Sequence, residues 1–470
     1  MGALAARNGG VMSLAALAAI LVVGLGLRLD FAWEGRSPVY DAAAYGEIAR
    51  NLDAGDGFTL GKGATQPASN YSPGLPLFVA GLYKLSGGEH ERFARVVLAL
   101  IGTLSVLFSY LIARRLSGPF AGLVGAGAVA IYPALLEYQG MLMGEPLAAT
   151  LLSGAILSIL WAASGEGSHP RARWLVPGLL LGALALTRPE YLGVALLAAI
   201  VVLIRDRTAW RAGALDAAIL LAGVVLAVAP WTIRNAVALD RFVPISTGGG
   251  QVLFAGTYLP SDGDPERVGA EVVARHPDLF GPQAVDRLRL EQILARLAAQ
   301  RHPDLLSDEA LGKMGREQLW DDVSEQPLEY AGFVATKVGR IWLHGPRDVM
   351  RKPGWEVFHW ALIALGLLGL AVLTTGCNAF YTYKTGCNPF YTYKKDNALH
   401  PAWEALLLAA VFVSITAISA LLVASPRRVL VMIPLVAALA GIGISWLRSQ
   451  YFPQRSVGNA GNGADSLAES

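Results

Sequence analysis

The sequence is poor in charge and in cysteine. Only 16% of its 470 residues are charged, whereas soluble domains carry about 25%. Its two cysteines, Cys377 and Cys387, are too few for a disulfide framework or a cysteine-rich metal site. The net charge of +2 shows no basic surplus that would point to nucleic acid. We therefore predict neither a disulfide scaffold nor a nucleic-acid partner.

Several motifs of soluble enzymes are missing as well. The sequence has no GxGxxG fingerprint, no P-loop lysine and no cluster of zinc ligands. The sequence is instead rich in apolar residues, with 54% hydrophobic residues and a mean hydropathy of +0.45. These residues collect in charge-free runs of roughly 14–20 residues, close to the ~20 needed to cross a bilayer core. The fold class predicted is an all-α integral membrane protein, a polytopic helical bundle.

We predict about ten transmembrane helices from these runs. The first is interpreted as a retained anchor and not a signal peptide, because Asp30–Trp33 offers no small-residue cleavage site. The predicted spans are Val11–Leu27, Val96–Ala113, Ala121–Leu136, Leu147–Ala163, Trp174–Thr187, Tyr191–Ile204, Ala217–Trp231, Val357–Leu373, Ala405–Ala424 and Val429–Leu447.

Basic residues orient the predicted bundle. If the N-terminus is cytoplasmic, every inner loop is basic, as the positive-inside rule requires. Two long loops, Asp30–Arg95 and Thr232–Trp355, then lie on the outer, periplasmic face of an inner membrane. Within them, Pro73–Leu85 is predicted to lie in the membrane interface, and Ala284–Gln300 and Leu328–Leu343 to form interfacial or small soluble helices. The inner basic residues are Arg7, Arg114, Arg115, Arg171, Arg173, Arg205, Arg207, Arg211, Lys384, Lys394, Lys395, Arg448 and Arg455.

One domain, residues 1–447, accounts for most of the chain. Within it, residues 375–394 are a tandem decapeptide, Thr375–Lys384 and Thr385–Lys394, whose copies differ only at Ala379 and Pro389. Two copies are too few for a solenoid. We interpret this segment as an insertion in a cytoplasmic loop without a catalytic role. Residues 448–470 are predicted to be a disordered cytoplasmic tail.

Two acidic residues lie in outer loops beside predicted spans. Asp41 follows the first span and precedes a short amphipathic stretch, and Glu145 stands between two spans, just before Pro146. Taken singly, each has an ordinary structural explanation, as a helix cap or as a partner of a helix macrodipole. Ionisable groups at membrane depth are costly and tend to be functional, so we predict that the pair forms part of a site.

Four arginines accompany these acids on the predicted outer face: Arg188, Arg234, Arg427 and Arg428. Any one of them could extend to lipid headgroups. Several of them around two carboxylates indicate an anionic substrate, most simply a phosphate or diphosphate held by guanidinium groups.

In this order the motifs resemble the GT-C glycosyltransferase superfamily, and most closely its bacterial branch related to protein O-mannosyltransferases and lipid A aminoarabinose transferases. The resemblance covers roughly residues 11–447, without the tandem repeat. Each motif is short, and their order and topological side carry the resemblance. The matching segments are Asp41–Leu52, Gly55–Phe58, Ser72–Phe78, Glu145–Ala148, Leu186–Pro189, Trp231–Asn235, Phe242–Gly250 and Ser425–Arg428.

The resemblance implies an enzyme that moves a sugar from a polyprenyl-phosphate donor to a lipid, a cell-wall glycan or a protein. The family's first-loop acid maps onto Asp41, as a base or an acceptor-orienting group, and its second-loop acid onto Glu145. Its outer-face arginines, which hold the lipid phosphate, map onto Arg188 and Arg427. Arg234 and Arg428 are further candidates for the same role.

One departure concerns the interfacial helix. Aminoarabinose transferases often have Lys-Pro-Pro there, with the lysine meeting phosphate, whereas this chain has Ser72-Pro73-Gly74. Another cation must therefore take that role. No cofactor is predicted, and a divalent cation bound by Asp41 and Glu145 stays open.

Three other functions remain as alternatives. A relative within the superfamily could use a diphosphate-linked oligosaccharide as a ligase or polymerase. A transporter or flippase would have ionisable residues deep in its spans and matching broken helices, whereas here the charges lie at span ends. A non-catalytic membrane scaffold is the third alternative.

Overall fold

The computed structural model describes residues 2–39, 41–61, 63–165, 171–205, 209–281, 283–375 and 402–451. The tandem repeat from Gly376 onward and the tail from Phe452 onward lie outside these ranges. Over the described ranges the chain is helical, and its single extended pairing is an isolated bridge between Thr59 and Pro67. The predicted all-α class is therefore confirmed.

Nineteen α-helices make up the described chain, and short 3-10 turns at Tyr138–Gly140, Ala172–Trp174, Pro189–Tyr191, Leu259–Ser261 and Asp348–Arg351 connect some of them. The helices are α1 Gly2–Glu34, α2 Ala42–Ala54, α3 Gly74–Ser86, α4 Glu91–Ser117, α5 Pro119–Ala130, α6 Pro133–Glu137, α7 Gly144–Ala163, α8 Leu175–Thr187, α9 Leu192–Ile204, α10 Trp210–Leu239, α11 Gly249–Thr257, α12 Val268–Arg275, α13 Ala284–Arg287, α14 Leu290–Arg301, α15 Ser307–Glu325, α16 Pro327–Leu343, α17 Pro353–Thr375, α18 Ala402–Leu421 and α19 Arg427–Tyr451.

Seven helices in the described ranges are long and apolar enough to cross a membrane, and an eighth span is added if α5 and the segment Pro133–Gly140 form one bent crossing. The fold is thus that of a multi-pass membrane protein. Ala172–Thr187 and Pro189–Ile204 are apolar but shorter than a full span. The count of about ten spans therefore stays a prediction.

The predicted span Ala121–Leu136 is not one straight helix. It bends by 54° between α5 and Pro133–Gly140. Pro133 begins the second segment, and a proline has no amide hydrogen to continue the helical hydrogen-bond ladder. The bend brings Tyr138 and Gln139, both buried, beneath the end of the bundle that carries the two long loops, called here the loop end.

Helix α19 lies at the centre of the bundle, with 83% of its apolar window buried inside the protein. Its glycines let neighbouring helices approach closely: a Cβ on Gly441 would collide with the carbonyl of Ala121 on α5, and one on Gly443 with Leu365 on α17. Small residues are the usual means of close helix packing in membranes. The N-terminus of this central helix is Arg427, which the packing therefore holds in place.

Helices α2 and α3 form a small layer at the loop end. They share a core in which Tyr45 and Ala49 meet Leu75, Val79 and Tyr83. The helix predicted at Pro73–Leu85 thus exists as α3, and at 13 residues it is too short to span. Whether it lies in the membrane interface stays a prediction.

The second long loop folds into helices α11–α16 with a core of its own, built on Phe254, Val272, Leu294, Leu297 and Leu311. The helix predicted at Ala284–Gln300 is divided in two, because Leu288 is extended with φ −115° and ψ 141°. The helix predicted at Leu328–Leu343 is confirmed as α16. Its buried Lys337 ties this domain to the bundle by donating to the carbonyls of Gly256 and Ala420.

Candidate active site at the loop end

Four of the predicted site residues come together where separate helices begin or end. Asp41 precedes α2, and Glu145 is in the first turn of α7. Arg188 follows α8, and Arg427 opens α19. Side chains that are 282 and 386 positions apart in the chain thereby touch directly.

Glu145 is the buried centre of this cluster, with a side chain 0% exposed. Its Oε1 accepts a hydrogen bond of 2.6 Å from Nε of Arg427 and pairs with a terminal nitrogen of Arg188. A buried carboxylate without a partner would be strongly destabilising, and the two arginines stabilise the charged form of this one. Its second oxygen, Oε2, has no hydrogen-bond partner in the described part of the chain.

Asp41 is the accessible member of the cluster, with a side chain 40% exposed. Its Oδ2 accepts a hydrogen bond of 3.2 Å from the second terminal nitrogen of Arg427. It stands at the start of α2, yet its carboxylate caps none of the helix amides. The cap explanation for this residue therefore has no support in the structure, whereas the contact with Arg427 joins it to Glu145.

A second branch of the network passes through Glu190, which was not among the predicted site residues. Glu190 Oε1 lies 3.8 Å from Arg188 and 3.6 Å from Arg428. Arg428 also donates to the carbonyl of Val423, and its own carbonyl accepts a hydrogen bond of 2.8 Å from the hydroxyl of Tyr191. Arg428 therefore stabilises the segment that leads into α19. Asp41 is contacted by the neighbouring Arg427 instead. The Arg-Pro-Glu sequence at 188–190 was the available signal for Glu190.

The electrostatics follow from this pairing. Burial opposes the charged form of Arg188, but the carboxylates of Glu145 and Glu190 outweigh it and raise the pKa of Arg188 above its ordinary value. Burial, together with Asp41 and Glu145, raises the pKa of the Tyr45 hydroxyl. The network holds three acids and three arginines, and the raised pKa of Tyr45 keeps its hydroxyl neutral beside them.

Arg234 is the predicted site residue that the structure places elsewhere. Its guanidinium lies 4.8 Å from the ring centre of Trp231 and 5.7 Å from that of Phe58. It donates to the side chain of Asn235. Within the described ranges it has no carboxylate partner and no hydrogen bond to the Asp41 cluster. Trp231 and Asn235 in turn donate to the carbonyl of Ile245, so this motif holds the second long loop against α10.

Ser72-Pro73-Gly74 also has a structural role. A Cβ on Gly74 would lie 2.8 Å from the backbone nitrogen of Thr187, which is closer than real side chains approach. The absence of a side chain lets α3 pack against the residue that precedes Arg188. This chain lacks the lysine of Lys-Pro-Pro, and the close packing of α3 brings that helix next to the segment that carries Arg188.

The guanidinium of Arg427 lies between Asp41 and Glu145 and donates to both. A divalent cation bound by both carboxylates would have to take its place. Over the described residues, no group of three or more His, Cys, Asp or Glu side chains is arranged to hold a metal ion.

Comparison with solved structures identifies the class of this fold. The oligosaccharyltransferase AglB from Archaeoglobus fulgidus, in complex with an inhibitory peptide and a dolichol-phosphate, matches with a TM-score of 0.53 and 13% identity over 97% of this chain and 52% of that one. The same enzyme tethered to an acceptor peptide matches with a TM-score of 0.53 and 14% identity over 96% of this chain and 51% of that one. This chain thus spans about half the length of those structures. The chain shares the fold of this oligosaccharyltransferase, a membrane glycosyltransferase fold of the kind that the sequence resemblance implied.

A more particular likeness comes from the sequence. Residues 69–233 match the model of the dolichyl-phosphate-mannose-protein mannosyltransferase family. Among solved structures, ArnT from Cupriavidus metallidurans, bound to undecaprenyl phosphate, also matches at 18% identity over 94% of this chain and 78% of that one, but its TM-score of 0.38 is too low to support a conclusion. A comparison with curated protein sequences gives no match.

Proposed function

We propose that the chain is a glycosyltransferase that moves a sugar from a polyprenyl-phosphate donor to an acceptor hydroxyl at the loop end. The observation that carries this proposal is the pairing of the accessible Asp41 with the buried Glu145 through one guanidinium, that of Arg427. The match of residues 69–233 to a family named for a lipid-phosphate sugar donor supports the choice of donor.

The chemistry requires a base and a stabilised leaving group. The acceptor oxygen attacks the anomeric carbon, and the bond from that carbon to the phosphate oxygen breaks. The proton of the acceptor hydroxyl passes to the Asp41 carboxylate, which is the exposed acid of the cluster. The lipid phosphate leaves with both electrons of the broken bond, and guanidinium groups stabilise its charge.

Arg427 connects the two halves of this reaction. In the structure its charge is shared between Glu145 and Asp41. A donor phosphate that binds the terminal nitrogen now on Asp41 would release that carboxylate to accept the proton. Glu145 remains on Nε of Arg427 throughout and holds the guanidinium in place. Donor binding thus prepares the base, while Arg188 supplies a second cation beside Glu145.

We place the loop end on the outer face of the inner membrane. At the opposite end of the bundle lie Arg114 and Arg115, which end α4, and Arg448 in the last turn of α19. Such an end faces the cytoplasm under the positive-inside rule. The donor would then be presented by the outer leaflet, and the acceptor would be a lipid, a cell-wall glycan or a protein.

The likeness to AglB, an oligosaccharyltransferase, favours one second candidate, which is transfer of an oligosaccharide; we consider a diphosphate-linked donor for it. The two are separated by incubating the purified full chain in lipid nanodiscs with a sugar on polyprenyl monophosphate or with an oligosaccharide on polyprenyl diphosphate. Release of polyprenyl phosphate from the monophosphate donor alone supports the proposal. Consumption of the diphosphate donor alone would replace it by the second candidate, and consumption of neither would contradict both.

A further inference from the structure

A groove runs between α1 and α4 on the lipid side of the bundle. At its loop-end mouth is an open cavity of about 810 Å³, and deeper between the same helices lies an apolar cavity of about 230 Å³. On α4 the linings are only one helical turn apart, from Val96 to Leu100, a rise of about 6 Å. The deep part is lined by Leu21, Val22, Leu25, Leu100, Thr103, Leu104 and Leu107.

The mouth carries one cation in excess. Glu89 pairs with Arg50 at 3.1 Å, and Glu91 with Arg95 at 2.5 Å. The remaining cation, Arg92, lies 4.8 Å from the ring centre of Trp33 and has no carboxylate partner within the described ranges. Arg50 is outside the cavity lining but neutralises Glu89; with it counted, three arginines against two glutamates leave a net charge of +1.

The groove opens sideways, where lipid surrounds the bundle. Trp33 and Phe93 at the mouth and Val22, Leu100 and Leu104 below it are all exposed large hydrophobic residues. Tryptophan is enriched at the level of lipid headgroups, so a cation stacked on Trp33 lies where a headgroup phosphate would be.

We propose that this groove binds one anionic glycerophospholipid, with its phosphodiester on Arg92 and an acyl chain between α1 and α4. The phosphodiester carries a single negative charge, which matches the mouth. A phosphomonoester such as polyprenyl phosphate carries ~1.5 to 2 negative charges near neutral pH, and Glu89 and Glu91 would repel the surplus. The apolar lining below the mouth selects a lipid over a soluble phosphate.

This site is separate from the candidate active site. Arg50, the partner of Glu89, lies on α2 nine positions after Asp41, which is about 13 Å along a helix. The mouth is nevertheless connected to the elements around Asp41. Arg95 donates from Nε to the carbonyl of Ala32 at 2.9 Å, and Arg50 belongs to the helix that Asp41 precedes. A lipid bound there would brace α1 and α2 against α4.

The test is lipid binding to the purified full chain in detergent, followed by native mass spectrometry during titration with phosphatidylglycerol. Arg92→Gln should weaken the tightest binding event about tenfold, the loss of one charge-assisted hydrogen bond at an exposed position. Leu104→Trp, which fills the apolar groove without touching the mouth, should weaken it as well. The matched control is Arg448→Gln, because Arg448 is likewise stacked on a ring, 4.4 Å from the centre of Phe120, at the opposite end of the bundle.

The proposal requires three results together. Phosphatidylglycerol must bind more tightly than phosphatidylethanolamine, Arg448→Gln must bind like wild type, and polyprenyl phosphate must fail to displace the bound lipid. Unchanged binding by Arg92→Gln would overturn the proposal. So would an equal loss in Arg448→Gln, which indicates general adsorption, or displacement by polyprenyl phosphate, which indicates a substrate groove. The readout is binding alone, so it is independent of the proposed transferase activity.

Discussion

At the scale of single residues, Arg427 is the side chain on which most of the site depends. It neutralises a fully buried carboxylate and at the same time contacts an accessible one. Arg427 therefore has a structural role and a chemical role. It stabilises the fold, because a buried acid left unpaired is destabilising, and it can bind a phosphate through a charge-assisted hydrogen bond.

We expect Arg427→Gln and Arg188→Gln each to weaken donor binding about 10- to 100-fold, because each removes a charge-assisted hydrogen bond worth about 1.5–3 kcal/mol. Binding of a fluorescent polyprenyl-phosphate sugar to protein in nanodiscs measures the effect. Arg241→Gln is the control, since Arg241 forms an exposed ion pair with Glu309 and such pairs contribute little. If Arg427→Gln and Arg188→Gln bind the donor as tightly as the control and the wild type, the phosphate is bound elsewhere, with Arg234 as the next candidate.

Lys337 provides a second prediction at this scale, and it concerns pH. Burial, and then the nearby charge of Arg428, lower the pKa of Lys337 from its ordinary 10.5 to about 7. Between these values the unfolded chain binds more protons at this position than the folded one, so stability rises with pH. Below about pH 7 both states are protonated and the penalty for a buried charge is fully present.

The midpoint of thermal unfolding in detergent should therefore rise between pH 7 and about 9.5 in the wild type. In Lys337→Met the rise should be smaller, because methionine fills a similar volume and does not titrate. Other groups titrate equally in both proteins, so the difference between the two curves isolates Lys337. Parallel curves would mean that the folded protein does not hold this lysine with a lowered pKa.

The sequence identified individual residues of the site better than their connections. Asp41, Glu145, Arg188 and Arg427 were recognisable as charged residues at span ends. That one guanidinium joins the first two was not, because the contacts link residues 282 and 386 positions apart and depend on how the helices pack. Glu190 was missed for the same reason, and Arg234 was grouped with the others although its aromatic neighbours hold it elsewhere.

At the scale of helices, the central position of α19 links packing to the site. Gly441 lies against the backbone of α5, where any side chain would force the two helices apart. Apolar runs in the sequence predicted that this helix exists. They did not indicate its place at the centre, because burial against protein and exposure to lipid call for the same apolar residues.

Gly441→Ala should therefore destabilise the protein by about 1–3 kcal/mol, the usual cost of overpacking, and should weaken donor binding by displacing Arg427 at the start of the same helix. Gly127→Ala on α5 is the matched control, because nothing lies within 4 Å of its added Cβ. Thermal unfolding and donor binding in detergent measure both effects. If both variants behave like wild type, the close contact of α5 and α19 is absent in solution.

Breaks in helices were the least predictable feature of the elements. The periodicity predicts a single helix that covers Ala284–Gln300. In the structure the chain is extended at Leu288, and a second helix, α14, begins at Leu290. Likewise Ala121–Leu136 reads as one apolar run and bends at Pro133. At Pro133 the cause is local, because proline interrupts the helical hydrogen bonds, and it is visible in the sequence. At Leu288 the sequence carries no comparable signal.

At the scale of the whole molecule, the bundle separates two chemically different ends. The loop end carries the acid and arginine network, and the opposite end carries the basic termini of α4 and α19. If the loop end faces outward, a lipid-borne donor in the outer leaflet can reach Asp41 from the side.

Orientation can be tested by cysteine labelling in spheroplasts. Cys377 and Cys387 are first replaced by serine, because they are the chain's two cysteines. Asp262→Cys, at an exposed position of the second long loop, should then react with an impermeant maleimide. Ala172→Cys, at the opposite end, should react only after permeabilisation. The reverse pattern would place the site on the cytoplasmic face and contradict the proposed route of the donor.

The proposed mechanism depends most on Asp41, and Asp41→Asn tests it most directly. The substitution keeps the size of the side chain and removes its basicity, so release of polyprenyl phosphate should fall by about 100- to 10,000-fold. Donor affinity should stay the same or rise, because the phosphate no longer competes with a carboxylate for Arg427. Both quantities can be measured on one preparation in nanodiscs, with a sugar on polyprenyl monophosphate. Turnover within a few-fold of wild type would contradict the account and leave Asp41 as a structural partner of Arg427.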